Sequence, residues 1–138
     1  MIQESILYPV IALAALTFGI GIWFGIIRVQ AVKKGDINPG YYTLNRGAKL
    51  PEYYTKVSNN YINLLEITVL FYAISILFYV TNNTDTIYIT LSWLFVLTRF
   101  IHSFIHTAYN NVLHRRIPFL AGVLVLIVEW GRFCIQIL

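Results

Sequence analysis

The stretch Leu97-Thr98-Arg99-Phe100-Ile101-His102-Ser103-Phe104-Ile105-His106-Thr107-Ala108-Tyr109-Asn110-Asn111 lies in a segment that otherwise reads as a membrane-spanning helix. Arg99, His102 and His106 recur at i, i+3 and i+7, which at 3.6 residues per turn places them on one helical face. A guanidinium and two imidazoles along one stripe of a bilayer helix are costly. They are therefore expected to face other helices or a wet cavity, and they mark a functional site.

Working outward, the composition agrees with a membrane setting. The chain has 138 residues, of which 58% are hydrophobic and 12% charged, against roughly 25% charged residues in an average soluble domain. This is the composition of an integral membrane protein, long enough for one domain of about four spans of roughly 20 residues each. The net charge of +4 does not point to nucleic acid, because the basic residues sit in the gaps between apolar runs, where they set membrane orientation. The opening residues Met1 to Ser5 carry Glu4 and no Lys or Arg, so the first apolar run is expected to stay as a helix rather than act as a cleaved signal. Cys134 is the single cysteine, which excludes an internal disulfide or a cysteine metal site.

The spans are expected at about 6–32, 57–80, 86–112 and 117–138, in one domain covering 1–138. The first contains Gly21 and Gly25, a G-x-x-x-G pair that lets another helix approach closely. The connection 33–56 is rich in Gly, Pro, Asn and Tyr. It carries Lys33, Lys34, Arg46, Lys49 and Lys56 against Asp36 and Glu52, and its length suits a cap over a site or a basic anchor at the headgroup level. His114-Arg115-Arg116 reads as a tight basic corner with Pro118 just beyond it, and Glu129 and Arg132 read as an i, i+3 pair in the last span. Nearly all Lys and Arg fall in the first and third connections. The positive-inside rule then places those connections in the cytoplasm and both termini on the other side.

A second polar stripe opens the second span: Asn59, Asn63 and Glu66 at i, i+4 and i+7. At 1.5 Å per residue, Glu66 lies roughly 13 Å into the membrane and Arg99 roughly 20 Å, close enough for long side chains to meet. The two are expected to pair, within a subunit or across an interface, with Asn63, His102 and His106 lining the same cavity and Arg115 at its mouth. Zinc is not expected, because His102 and His106 lack the H-E-x-x-H pattern and Arg99 would repel a cation. A cavity holding Arg, His and Asn suits an anionic, hydrogen-bonding small molecule or a thiolate.

This arrangement resembles the MAPEG proteins, membrane-associated proteins in eicosanoid and glutathione metabolism, and looks closest to their small bacterial branch. The resemblance rests on four spans, a long basic first connection, Asn63-Leu64-Leu65-Glu66 on the second helix, Arg99-Phe100-Ile101-His102 on the third, and Tyr109 to Arg115 after it. It implies an all-α four-helix subunit in a homotrimer, with glutathione between neighbouring subunits and the site open to the cytoplasm of a bacterial inner membrane. The family's second-helix pattern is R-x-x-x-N-x-x-E; Asn63 and Glu66 match it, and Asn59 stands in place of the arginine. Arg99 and His102 match the third-helix pattern, His106 stands where a tyrosine is usual, and Arg115 occupies the approximate place of the thiolate-stabilising arginine.

Three functions compete. The first is a glutathione-dependent transferase or peroxidase acting on lipophilic electrophiles, with Arg115 and His106 catalytic and Asn59, Asn63, Glu66, Arg99 and His102 binding the thiol compound. The second is a non-catalytic membrane scaffold or complex subunit whose polar stripes lock the assembly. The third is a proton or small-anion conduit.

Overall fold

In the computed structural model, which describes residues 2–47 and 49–138, a short 3-10 turn (Gln3–Ile6) leads into α1 (Leu7–Lys33). A one-turn α2 (Tyr41–Leu44), then α3 (Glu52–Val80), α4 (Thr86–Thr107) and α5 (Val112–Ile137) complete the chain. Four segments are long and apolar enough to cross a membrane: Gln3–Lys33, Glu52–Val80, Thr86–Thr107 and Val112–Ile137. No strand occurs among the described residues. Four crossings bring both termini out on one side.

The helices begin and end where local chemistry dictates, which moves three boundaries from their expected places. Pro51, extended at φ −60° and ψ 148°, starts α3 at Glu52 rather than near Val57, and a Lys56–Glu52 ion pair of 2.8 Å supports the first turn. Asn110 takes a left-handed φ of 51° and its N–H reaches the Ile105 carbonyl at 2.8 Å, which closes α4 at Thr107 instead of Val112. Asn111 next to it accepts from the N–H groups of Leu113 (3.0 Å) and His114 (3.1 Å), so α5 starts at Val112. His114, Arg115 and Arg116 are thus the first turn of a helix rather than a corner, and Pro118 lies inside it.

Aromatic contacts fix how the helices sit against one another. Phe71 stacks on Phe95 at 4.7 Å and Phe78 meets Tyr88 at 3.9 Å. A step from Phe71 to Phe78 on α3 matches the same step backwards on α4, so these antiparallel helices keep one register along the pair. Ile6, Leu13, Val125, Leu126 and Phe133 close the core around these rings. Near the other end of α1, Phe24 packs against Tyr54 and Tyr61 at 5.5 and 5.7 Å. Gly21 earns its place here, since a Cβ would lie 3.0 Å from the Tyr61 ring, whereas Gly25 has open space in front of it. Only half of the G-x-x-x-G pair meets a helix within the chain.

The first connection folds back on the helices that it joins. Ile37 is buried with Ile27, Ala31, Tyr54 and Val57, the Tyr53 hydroxyl donates to Asp36 at 2.7 Å, and the Arg28 guanidinium lies over the Tyr42 ring at 4.4 Å. It acts as a basic, tyrosine-rich end to α1 and α3.

α4 and α5 are joined by polar contacts along their length. The Ser92 hydroxyl donates to the fully buried Glu129 at 2.8 Å, the Tyr88 hydroxyl contacts Gln136 at 2.6 Å, and Arg132 forms a two-point ion pair with Asp85. The expected Glu129–Arg132 pair is therefore replaced by two interhelical contacts. Glu129 points into the core toward α4, while Arg132 lies at the bundle end beside the residue that caps α4. Arg132 and the Tyr88 N–H hold the Asp85 carboxyl below the usual carboxylate range.

Candidate functional site

The polar stripe of α4 points into the bundle. Arg99, His102, Ser103 and His106 are all buried, and Arg99 is fully so. Its Nη2 donates to the carbonyls of Pro118 (3.0 Å) and Phe119 (3.2 Å) on α5, and its guanidinium lies 5.2 Å from the Phe95 ring centre and 5.3 Å from that of Phe119. Room for this comes from Gly122, where a Cβ would collide with Nη2 and fall 2.7 Å from the Thr98 hydroxyl. Each helical carbonyl has a second lone pair, so these bonds form without breaking the α5 ladder.

Arg99 does not pair with Glu66 within the chain. The α3–α4 register puts Ile67, not Glu66, level with Arg99, and Glu66 is exposed on the outer face of α3. Asn59 is exposed on that helix as well, and Asn63 is half-buried with its amide oxygen unpartnered. The expected single cavity is thus divided. His102, His106 and Arg115 come together inside the bundle, with Arg99 beyond Phe119, whose ring lies 5.9 Å from that of His102. Asn59 and Glu66 look outward.

The inner group is built around Arg115. Its Nη1 donates to Asn110 Oδ1 at 2.6 Å and to His106 Nε2 at 3.0 Å, while its own carbonyl lies 2.9 Å from His102 Nδ1. A guanidinium only donates and a carbonyl only accepts, which assigns both rings. His106 receives on Nε2 and carries its proton on Nδ1; His102 donates from Nδ1, and its burial beside the Arg99 and Arg115 guanidiniums opposes a second proton, which leaves a lone pair on Nε2. Both imidazoles are therefore neutral, and each has one nitrogen engaged by Arg115, which leaves no free imidazole pair facing a cation. Among the described residues Arg115 has no carboxylate partner. Braced and half-buried at the end of the bundle, it is an oriented cation with capacity for an anion.

Four residues of consequence were not among the expected site set. Asn110 orients Arg115 and was legible only as part of a turn. Gly122 admits the Arg99 guanidinium, and nothing in its sequence neighbourhood marks it. Asn60, fully buried with no partner on either amide atom, is the polar residue of α3 that shares the inward side with Phe71 and Phe78. Arg28, exposed near the end of α1 and stacked on Tyr42, is a cation within the first span. The Asn59-Asn60 doublet and the single Arg inside an apolar run were the available signals.

Neither the comparison with curated proteins nor that with solved structures gave a match. The family model for the MAPEG family matches residues 6–135, nearly the whole chain and all four spanning helices. With four apolar helices carrying a buried Arg-His stripe, this chain is an integral multi-pass membrane protein and belongs to the MAPEG family.

Proposed function

We propose that the protein is a glutathione-dependent transferase or peroxidase acting on lipophilic electrophiles, with Arg115 stabilising the thiolate. The observation that carries this reading is the state of Arg115: fixed by Asn110 and His106, without a carboxylate partner among the described residues, at the bundle end that carries the basic connection. A guanidinium held in place favours an ionised thiol beside it without first having to be ordered. His106 contributes by fixing Arg115 through its Nε2 acceptor.

Glu66 supports placing the bound thiol between copies of the chain. A carboxylate exposed on the outer face of a spanning helix is costly against lipid, and a neighbouring copy would cover it. In a homotrimer, Glu66, Asn59, Asn63 and the outward Arg28 of α1 would supply polar contacts to the peptide-like body of glutathione, with Arg99 and His102 supporting the site from inside. An outer groove of about 520 Å³ between α1 and α3, lined by Thr17, Phe18, Gly21, Tyr61, Leu65 and Tyr72, suits the lipophilic co-substrate. With the basic connections in the cytoplasm of a bacterial inner membrane, the site would open there.

Ultraviolet difference spectroscopy of the purified protein with glutathione tests this. A thiolate band is expected, together with thermal stabilisation at millimolar thiol; Arg115→Ala is expected to remove the band and lower turnover by at least tenfold. Absence of both signals in the parent protein would overturn the reading. A second reading, a non-catalytic membrane subunit, is favoured by one observation: Arg99 donates to α5 carbonyls as an interhelical clamp. It predicts loss of stability on Arg99→Leu with no response to any thiol.

A further inference from the structure

The register that sets Phe71 on Phe95 also decides what meets nearer the basic end of the bundle. Three helical turns lead from Phe71 back to Asn60, and three lead from Phe95 on to His106; both steps return to nearly the same side of their helices. Asn60 therefore faces α4 at the level of His106. Unpartnered buried atoms lie within about one helical turn of this level on the two helices: both amide atoms of Asn60, Oδ1 of Asn63, Oγ of Ser103, Nε2 of His102 and Nδ1 of His106. Asn60 is 0% exposed and His106 5%, so bulk solvent reaches neither.

The ring assignments give these atoms complementary character. His106 Nδ1–H and the Asn60 amide nitrogen donate; Asn60 Oδ1 and His102 Nε2 accept; Ser103 does either. An anion would lie against the lone pairs of His102 and Asn60. A cation would lie against the His106 N–H, with Arg115 and Arg99 close behind. A molecule that both donates and accepts, and carries no charge, meets all of them. The imidazole centres are 5.6 Å apart, so the two rings are neighbours on α4.

We propose that the α3–α4 seam is a buried water-binding site, in which ordered water joins His106 Nδ1–H to Asn60 Oδ1 and to His102 Nε2, with Ser103 as a further pole. The water fixes His106 in the form that presents Nε2 to Arg115, so Asn60 acts on Arg115 as a positioning residue through water and imidazole. This site requires no thiol, electrophile or second copy, and its fate is independent of the function proposed above.

Nitrogen NMR of the full chain, labelled with 15N-histidine and reconstituted in lipid nanodiscs, reads it directly. Only three histidines are present, and His114→Gln identifies the exposed one. Both buried rings are expected to be protonated on Nδ1, the tautomer less favoured in water, and the His106 Nδ1–H is expected to show a cross-peak to water. Asn60→Leu is expected to weaken that peak at least fivefold, and Asn60→Ser to retain it. A His106 ring protonated on Nε2, a parent protein without the water peak, or a direct coupling between His106 and the Asn60 amide would overturn the proposal. A peak indifferent to Asn60→Leu would do the same. Should Asn60→Leu not fold, the parent spectrum and Asn60→Ser decide it.

Discussion

Gly122 shows how one absent methyl group permits a buried charge. Its Cα faces the Arg99 guanidinium at a distance that no Cβ tolerates, and the same space is shared by the Thr98 hydroxyl. Gly122→Ala is expected to destabilise the protein by about 1–3 kcal/mol, the range for overpacking a dense core. Arg99 would have to leave the Pro118 and Phe119 carbonyls to make room. Thermal unfolding in detergent measures this, and Gly131→Ala, with open space at its Cβ, serves as the control and should leave the midpoint unchanged or slightly higher.

At the scale of the element, α5 depends on its cap and on the far end of its hairpin. Asn111→Ala removes the acceptor for two orphan N–H groups and is expected to cost about 0.5–2 kcal/mol. Faster hydrogen exchange confined to the first turn of α5 would report it, and Arg115 would lose its orientation in the same variant. The Asp85–Arg132 pair gives the hairpin a pH dependence of defined sign. Asp85 has a folded-state value below the roughly 3.9 of an unfolded aspartate. Its contribution is complete above that value and is lost as the pH falls through the folded one. The unfolding midpoint is expected to drop below about pH 4 in the parent, and to drop less steeply in Asp85→Asn. These elements also show what could be read from the sequence. The α4 stripe was legible because charged and polar residues in a bilayer helix have only one inexpensive side to face. The α3 stripe of Asn59, Asn63 and Glu66 was expected to face that of α4, whereas Asn59 and Glu66 are exposed and Asn60 is buried, because an i, i+4, i+7 spacing defines a face without saying which way it looks. A helix apolar on every side, with lipid on one and protein on the other, offers no hydrophobic contrast to decide. Glu129 and Arg132 parted for a related reason, since proximity along the chain counted less than the depth at which each found a partner across the hairpin.

The molecule as a whole is unevenly held. Of the four spanning segments, α4 is the most buried within the chain and the first, Gln3–Lys33, the least. In the homotrimer proposed above, a second copy would cover the outer face made of α1 and of α3 with its exposed Glu66. Glu66→Gln is expected to keep the monomer fold and weaken the assembly, read as a shift from trimer toward monomer by mass photometry in detergent. An unshifted mass distribution would separate Glu66 from assembly. The polar contacts between α4 and α5 have one further consequence, which concerns how the protein is made. α4 leaves the ribosome before α5, so Asp85, Tyr88, Ser92 and Arg99 are already in place when Arg132, Gln136, Glu129 and the Pro118 carbonyl emerge. The most costly groups of the last helix meet their partners within its immediate predecessor. Insertion of α5 is thus expected to draw on α4, whose Ser92 meets one oxygen of the Glu129 carboxyl, before any neighbouring copy is present.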